Sequence, residues 1–111
     1  MPRYYLCRRD DIADNRCKEF SLDEIDPPLE LFLVHRNRHI YAYHNRCPHT
    51  GINLNWQPDQ FMDITDHFLQ CSTHGALFRV DDGHCVRGPC AGASLQALTL
   101  CFVNNDIYLE L

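Results

Sequence analysis

An all-β fold is what this sequence predicts, and three observations carry it. No window keeps apolar residues at helical spacing over three turns; the nearest, SLDEID (21–26), is stopped by Pro27-Pro28. Short runs rich in branched and aromatic residues recur along the chain. Turn residues separate them at close intervals. The expectation is mostly antiparallel β structure, about eight to ten short strands in small sheets.

The elements follow in order. CKEFSL (17–22) alternates weakly. LELFLVHR (29–36) and HIYAYHN (39–45) are strand-like, with Asn37-Arg38 between them as a hairpin turn. DHFLQC (66–71) and ALFRV (76–80) are short strands, and DDGHC (81–85) is a tight turn. LQALTLCFV (95–103) sets Leu98, Leu100 and Phe102 on one face, and Asn104-Asn105-Asp106 turns it into IYLEL (107–111). The longest stretch without strand pattern is 57–66, and loops of that size are often functional.

At 111 residues and 45% apolar content the chain is expected to form one domain, 1–111. A formal charge of −5, with Lys and Arg scattered, argues against a nucleic-acid partner. No apolar run is long enough to span a membrane, and the N-terminus has no signal-peptide pattern, so a cytoplasmic protein is expected. Seven cysteines is a high and odd number for this length. With two of them close to histidines, metal ligation is favoured over a disulfide framework.

Those two lie in RCPHTGINL (46–54) and QCSTHGALF (70–78), as Cys47-x-His49 and Cys71-x-x-His74, each followed by a glycine. Thiolate with neutral imidazole suits zinc, copper or iron–sulfur chemistry, not magnesium or calcium. Three readings compete. Core cysteines beside surface histidines would explain one pair but not two. A structural Cys2His2 zinc site is chemically sound, yet zinc knuckles group cysteines with cysteines. In a Rieske-type 2Fe–2S centre two Cys hold one iron and two His the other, which accounts for one of each on each loop.

The pattern Cys47-Pro-His49-Thr-Gly51 … Cys71-Ser-Thr-His74-Gly75 resembles the Rieske signature C-x-H…C-x-x-H. LFLVHRNRHIYAYHNRCPHTG resembles the strands leading into the first cluster loop of small Rieske ferredoxins. GHCVRGPCAGASLQAL resembles their proline-bearing third loop and returning strand. The likeness covers 29–111, with the N-terminal strand weaker. It implies a Rieske-like antiparallel β sandwich or barrel base domain with a small inserted cluster-binding subdomain, approximately 46–90. It further implies one 2Fe–2S cluster, with Cys47 and Cys71 on the inner iron and His49 and His74 on the outer. Thr50, Gly75, Ala76, Phe78, Gly88 and Pro89 would shield or tune it, Pro89 covering a third side. Partners would dock around His49, His74, Pro48, Thr50, Gly75 and Pro89.

Respiratory Rieske proteins resemble C-T-H-L-G-C and C-P-C-H-G-S-x-Y, with a disulfide between the loops and Ser and Tyr hydroxyls on the sulfurs. Here the disulfide positions are Ile52 and Thr73, and the hydroxyl positions Ala76 and Phe78. Without those donors the reduced state is less stabilised, so the potential is expected at the low end of the range, about −150 mV.

Other residues read more plainly. Cys85 and Cys90 are free thiols near the proline loop, at a spacing also compatible with a disulfide. Cys101 faces a sheet surface; Cys7 and Cys17 have no ligand-like neighbours. His35, His39, His44, His67 and His84 are strand or turn residues, and Trp56 anchors its long loop in the core, shields the cluster or forms part of a docking patch.

The resulting expectation is a soluble one-electron carrier, not itself an enzyme. Its electrons would come from a flavin-dependent ferredoxin reductase and pass to a terminal oxygenase or other oxidoreductase. The chain has neither a dinucleotide-binding G-x-G-x-x-G nor room for an oxygenase catalytic domain. One alternative is a small ferredoxin-like subunit of a larger enzyme, such as a nitrite reductase or ring-hydroxylating dioxygenase system; another is a zinc-stabilised interaction module.

Overall fold

The computed structural model describes residues 2–48, 51–55 and 57–111. His49, Thr50 and Trp56 therefore lie outside the described residues. The strands are β1 (Arg3–Arg8), β2 (Arg16–Leu22), β3 (Leu29–Arg36), β4 (His39–His44), β5 (Phe68–Gln70), β6 (Leu77–Arg79), β7 (Cys85–Arg87), β8 (Thr99–Val103) and β9 (Asp106–Glu110). Helical structure among the described residues is a single 3-10 turn, Arg9–Asp11.

The strands form three antiparallel sheets, ordered β1-β9-β8, β2-β3-β4 and β5-β6-β7. The β2-β3-β4 sheet is the middle layer, and β3 explains why. Leu31 and Leu33 point into one core with Leu22, Ala42, Ile107 and Leu109. Phe32 and Val34 point the other way, toward Tyr43, Phe61, Leu69 and Phe78. A strand buried on both faces reads as a continuous apolar run, which is the character of LELFLV.

The β3–β4 turn has Asn37 at φ +51° and Arg38 at φ +68°. Two successive positive φ values are what a two-residue hairpin loop requires, because they match the strands' twist. Beyond β4 the pairing continues irregularly: His44 N–H donates to Gln96 O at 2.9 Å and Leu98 N–H to Ala42 O at 2.9 Å. The middle sheet is thus joined to the approach of β8, partly closing the base into a barrel. Leu98, just before β8, and Leu100 on it pack against the core as expected. Phe102, at the strand's end, is half-exposed under the guanidinium of Arg9, 4.5 Å above its ring.

The third sheet is held against the middle one by two aromatic anchors. Phe61, from the 57–66 loop, stacks on Phe32 with ring centroids 4.1 Å apart. Tyr43 of β4 sends its hydroxyl to Val80 O at 2.6 Å. Its ring lies so close to the β6–β7 turn that a Cβ on Gly83 would sit 2.8 Å from it, and Gly83 has φ +73° besides.

Candidate metal centre

The loop after β4 and the loop after β5 are built to one plan. Cys47 N–H donates to Ile52 O at 2.7 Å, and Gly51 N–H to Cys47 O at 2.7 Å. Cys71 N–H donates to Ala76 O at 2.9 Å, and Gly75 N–H to Cys71 O at 2.8 Å. Each cysteine therefore opens a five-residue reverse turn closed by a glycine in the left-handed region, φ +76° at Gly51 and +71° at Gly75. An L side chain is strained there, which is why a glycine follows each Cys/His pair.

The second turn aims its cysteine and histidine oppositely. Cys47 and Cys71 are buried, while His74 is exposed. Ser72 N–H donates to Leu54 O at 2.7 Å, tying the second loop to the tail of the first. The two sulfurs are within hydrogen-bonding reach of each other, and the amides of Thr73 and His74 donate to the Cys71 sulfur. Burial pushes the Cys71 thiol up, and those two amides pull against it.

The 85–95 segment closes a third side. Gly88 has φ +106°, and a Cβ there would lie 2.8 Å from Ala76 Cα. Backbone meets backbone at this point, so only glycine fits. Pro89 next to it is exposed, whereas Ala76 and Phe78 are wholly buried beneath the loops. Ala76 thus lies inside. The Cys85 and Cys90 sulfurs are 3.1 Å apart and unbonded.

The other cysteines lie apart from this centre. Cys7 is in the core between the β1-β9-β8 sheet and the middle sheet, and Cys17 lies on the opposite face of the middle sheet, in the same core as Cys47 and Cys71; burial raises their thiols to about 11 and about 12. Two of the remaining histidines make local bonds: His35 Nδ1 is 2.7 Å from Ile12 O, and His84 Nδ1 is 3.3 Å from Ser94 Oγ.

Sequence reasoning missed Asn45. This buried residue accepts Leu54 N–H on Oδ1 at 2.9 Å and donates from Nδ2 to Asn55 Oδ1 at 3.0 Å. Asn55 in turn donates to Glu19 Oε2 at 3.1 Å, and Asn53 to Glu30 Oε2 at 2.7 Å. The first loop is thereby pinned to β2 and β3 by polar side chains. An Asn directly after a strand and two residues before a motif cysteine was the available signal. Arg46 was missed too: its guanidinium lies against Gly51, beside a cavity of about 510 Å³ lined also by His44, Pro48, Ser94 and Gln96.

The donor types suit an iron–sulfur centre: two buried sulfurs within reach of each other and the exposed His74 imidazole on the second loop, though among the described residues the structure does not gather three ligating side chains at one point. The fold has close counterparts. The ferredoxin of carbazole 1,9a-dioxygenase from Nocardioides aromaticivorans IC177 superposes with TM-score 0.71 at 18% identity, covering 96% of each chain. The terminal oxygenase of carbazole 1,9a-dioxygenase from Novosphingobium sp. KA1 gives TM-score 0.75 at 18% identity, over 96% of this chain and 29% of that one. In sequence, cholesterol 7-desaturase of Caenorhabditis elegans is 28% identical over 112 residues, 96% of this chain. This chain spans 25% of that protein's length. The Rieske [2Fe-2S] domain profile matches residues 2–102, and with one Rieske-type 2Fe–2S cluster as the group its donors suit, the chain belongs to the Rieske [2Fe-2S] domain family.

Proposed function

We propose that the protein is a one-electron carrier whose cluster is held by Cys47 and Cys71 on the inner iron and His49 and His74 on the outer. When bound, the cluster takes up and releases one electron. The chain's own residues do the rest. Segment 46–90 acts as the cluster-binding subdomain: Gly51 and Gly75 turn each loop so that its cysteine faces inward. Thr73 and His74 direct amides at the Cys71 sulfur, stabilising negative charge there. Gly88 and Pro89 cover a third side. The observation that carries this reading is the duplicated turn geometry, which places one buried sulfur on each of two linked loops.

The electron acceptor is a terminal oxygenase and the donor a flavin-dependent reductase. Supporting this, the fold is similar to that of a ferredoxin of carbazole 1,9a-dioxygenase over nearly the whole of both chains. No helix among the described residues is long and apolar enough to cross a membrane, in keeping with a cytoplasmic carrier. A second reading is favoured by the likeness to cholesterol 7-desaturase: the same domain would serve as the electron-entry module of a larger oxygenase-type assembly.

The test is purification with metal and sulfide analysis. A red-brown protein with iron and acid-labile sulfide in equal amounts, reduced by one electron per two irons, is expected. A folded, colourless protein carrying stoichiometric zinc overturns the reading.

A further inference from the structure

The structure assigns a second sulfur site: we propose that Cys85 and Cys90 are a dithiol that hydrogen peroxide closes to a disulfide, immediately behind Cys47. Their sulfurs are 3.1 Å apart, and both side chains are buried. The backbone holds them facing one another. Cys85 N–H donates to Ala93 O at 2.8 Å, Ala93 N–H to Cys90 O at 2.9 Å, and Gly92 N–H to Cys85 O at 3.3 Å. A disulfide needs its sulfurs about 2.05 Å apart, so closure asks for an approach of about 1 Å within a loop already folded around the pair. The positions matching the respiratory inter-loop disulfide are Ile52 and Thr73, so this pair is a separate device.

The chemistry balances with peroxide as oxidant. Cys90, 7% exposed against 1% for Cys85, is the more accessible residue of the pair and takes the oxidant in this scheme. An S–O bond forms on Cys90, the O–O bond breaks, and one water leaves with the thiol proton, giving a sulfenic acid. The Cys85 sulfur then attacks: the S–S bond forms, the S–O bond breaks, and a second water leaves with the Cys85 proton. Two thiols and one peroxide yield one disulfide and two waters, with two electrons passing from sulfur to oxygen.

The position gives the bond a consequence. Cys90 is within hydrogen-bonding reach of Cys47 as well as of Cys85. Closing the disulfide removes the Cys90 S–H, and with it a donor beside the Cys47 sulfur, so the reduced cluster loses stabilisation and the potential falls. This consequence rests on the proposed ligation by Cys47; the disulfide itself does not.

The experiment treats purified holoprotein with stoichiometric hydrogen peroxide, blocks remaining thiols with N-ethylmaleimide in denaturant, and digests with trypsin. Cleavage after Arg79 and Arg87 puts Cys85 on peptide 80–87 and Cys90 on 88–111. The expected result is a joined peptide pair, separated by dithiothreitol, with fragment ions placing the bond on Cys90 and not Cys101. The visible spectrum is retained, the midpoint potential is lower, and Cys85→Ser or Cys90→Ser abolishes the pair. Colourless protein that still yields the joined pair leaves the disulfide standing and removes the carrier reading. The proposal is overturned if doses that oxidise the partly exposed Cys101 produce no joined pair, or if Cys90→Ser yields it undiminished.

Discussion

By resemblance to the respiratory Rieske motif, Ala76 and Phe78 take the positions of its Ser and Tyr, and neither offers a hydroxyl. Both are fully buried, and Ala76 O already accepts Cys71 N–H at 2.9 Å. Ala76→Ser and Phe78→Tyr are each expected to raise the midpoint potential. A bond worth about 1.4 kcal/mol more in the reduced state corresponds to about 59 mV for one electron. Room differs between the two: Ala76 lies against Gly88, where a Cβ would come within 3.1 Å of the Ala76 side chain. Phe78→Tyr is therefore the cleaner substitution. Redox titration of both variants checks this, and potentials unmoved in variants whose hydroxyls reach sulfur would show that something other than these hydroxyls sets the potential. A second test at this scale is Tyr43→Phe, which leaves the buried Val80 carbonyl without its 2.6 Å donor. A loss of about 1–3 kcal/mol in denaturant unfolding is expected.

The 57–66 loop behaves as an element despite having no strand of its own. Phe61 gives it a foothold in the core, and Phe61→Ala is expected to cost about 3–5 kcal/mol and to loosen the third sheet. The loop's end is organised by Asp63. Its carboxylate accepts from Thr65 Oγ1 at 2.8 Å and from the amides of His67 and Phe68 at 3.1 Å each, leading directly into β5. Burial alone would raise this carboxyl; the hydrogen bonds from Thr65, Phe68 and His67 outweigh it and hold the group below the ordinary value of 3.8. Stability from these bonds is thus fully present above that value and is lost as pH falls through the lower, folded-state one. Asp63→Asn should destabilise the protein at neutral pH and flatten the acid limb of stability against pH. Parallel acid limbs for variant and wild type would assign that limb to other carboxyl groups.

Across the whole molecule, the strands of three sheets carry the loops of the candidate centre, with His74 outward. Partners of a redox carrier make small, transient contacts, typically below about 1,200 Å². The exposed residues around that centre include Pro48, His74, Gly75 and Pro89, with Arg46 and Arg87 as cations beside them on an otherwise acidic chain. Arg46→Glu and Arg87→Glu are expected to change the rate of reduction by the partner and its salt dependence, with the visible spectrum intact. Stopped-flow reduction at two ionic strengths measures this, and rates equal to wild type in both variants would move docking elsewhere.

The sequence by itself determined most of the strand pattern and the donor types of the centre; β1 and β7 were not legible in it. LELFLVHR reads as β3 with its bounds intact, and Asn37-Arg38 as its turn, because alternation, branching and positive-φ residues are local properties. Cys47, Cys71 and His74 stand out by donor type and spacing, which need no neighbours to be recognised. Only the tertiary structure decided what depends on residues distant in the chain. That β3 is buried on both faces required two other sheets to cover it. That Asn45 pins the first loop depended on Leu54 and Asn55 folding back onto it. Ala76 lies inside because Gly88 lets a third loop come down on it. The Cys85–Cys90 spacing allowed a bond, but only the hydrogen bonds of 85–93 brought the sulfurs to 3.1 Å, since facing side chains across a loop is set by its closure and not by its composition.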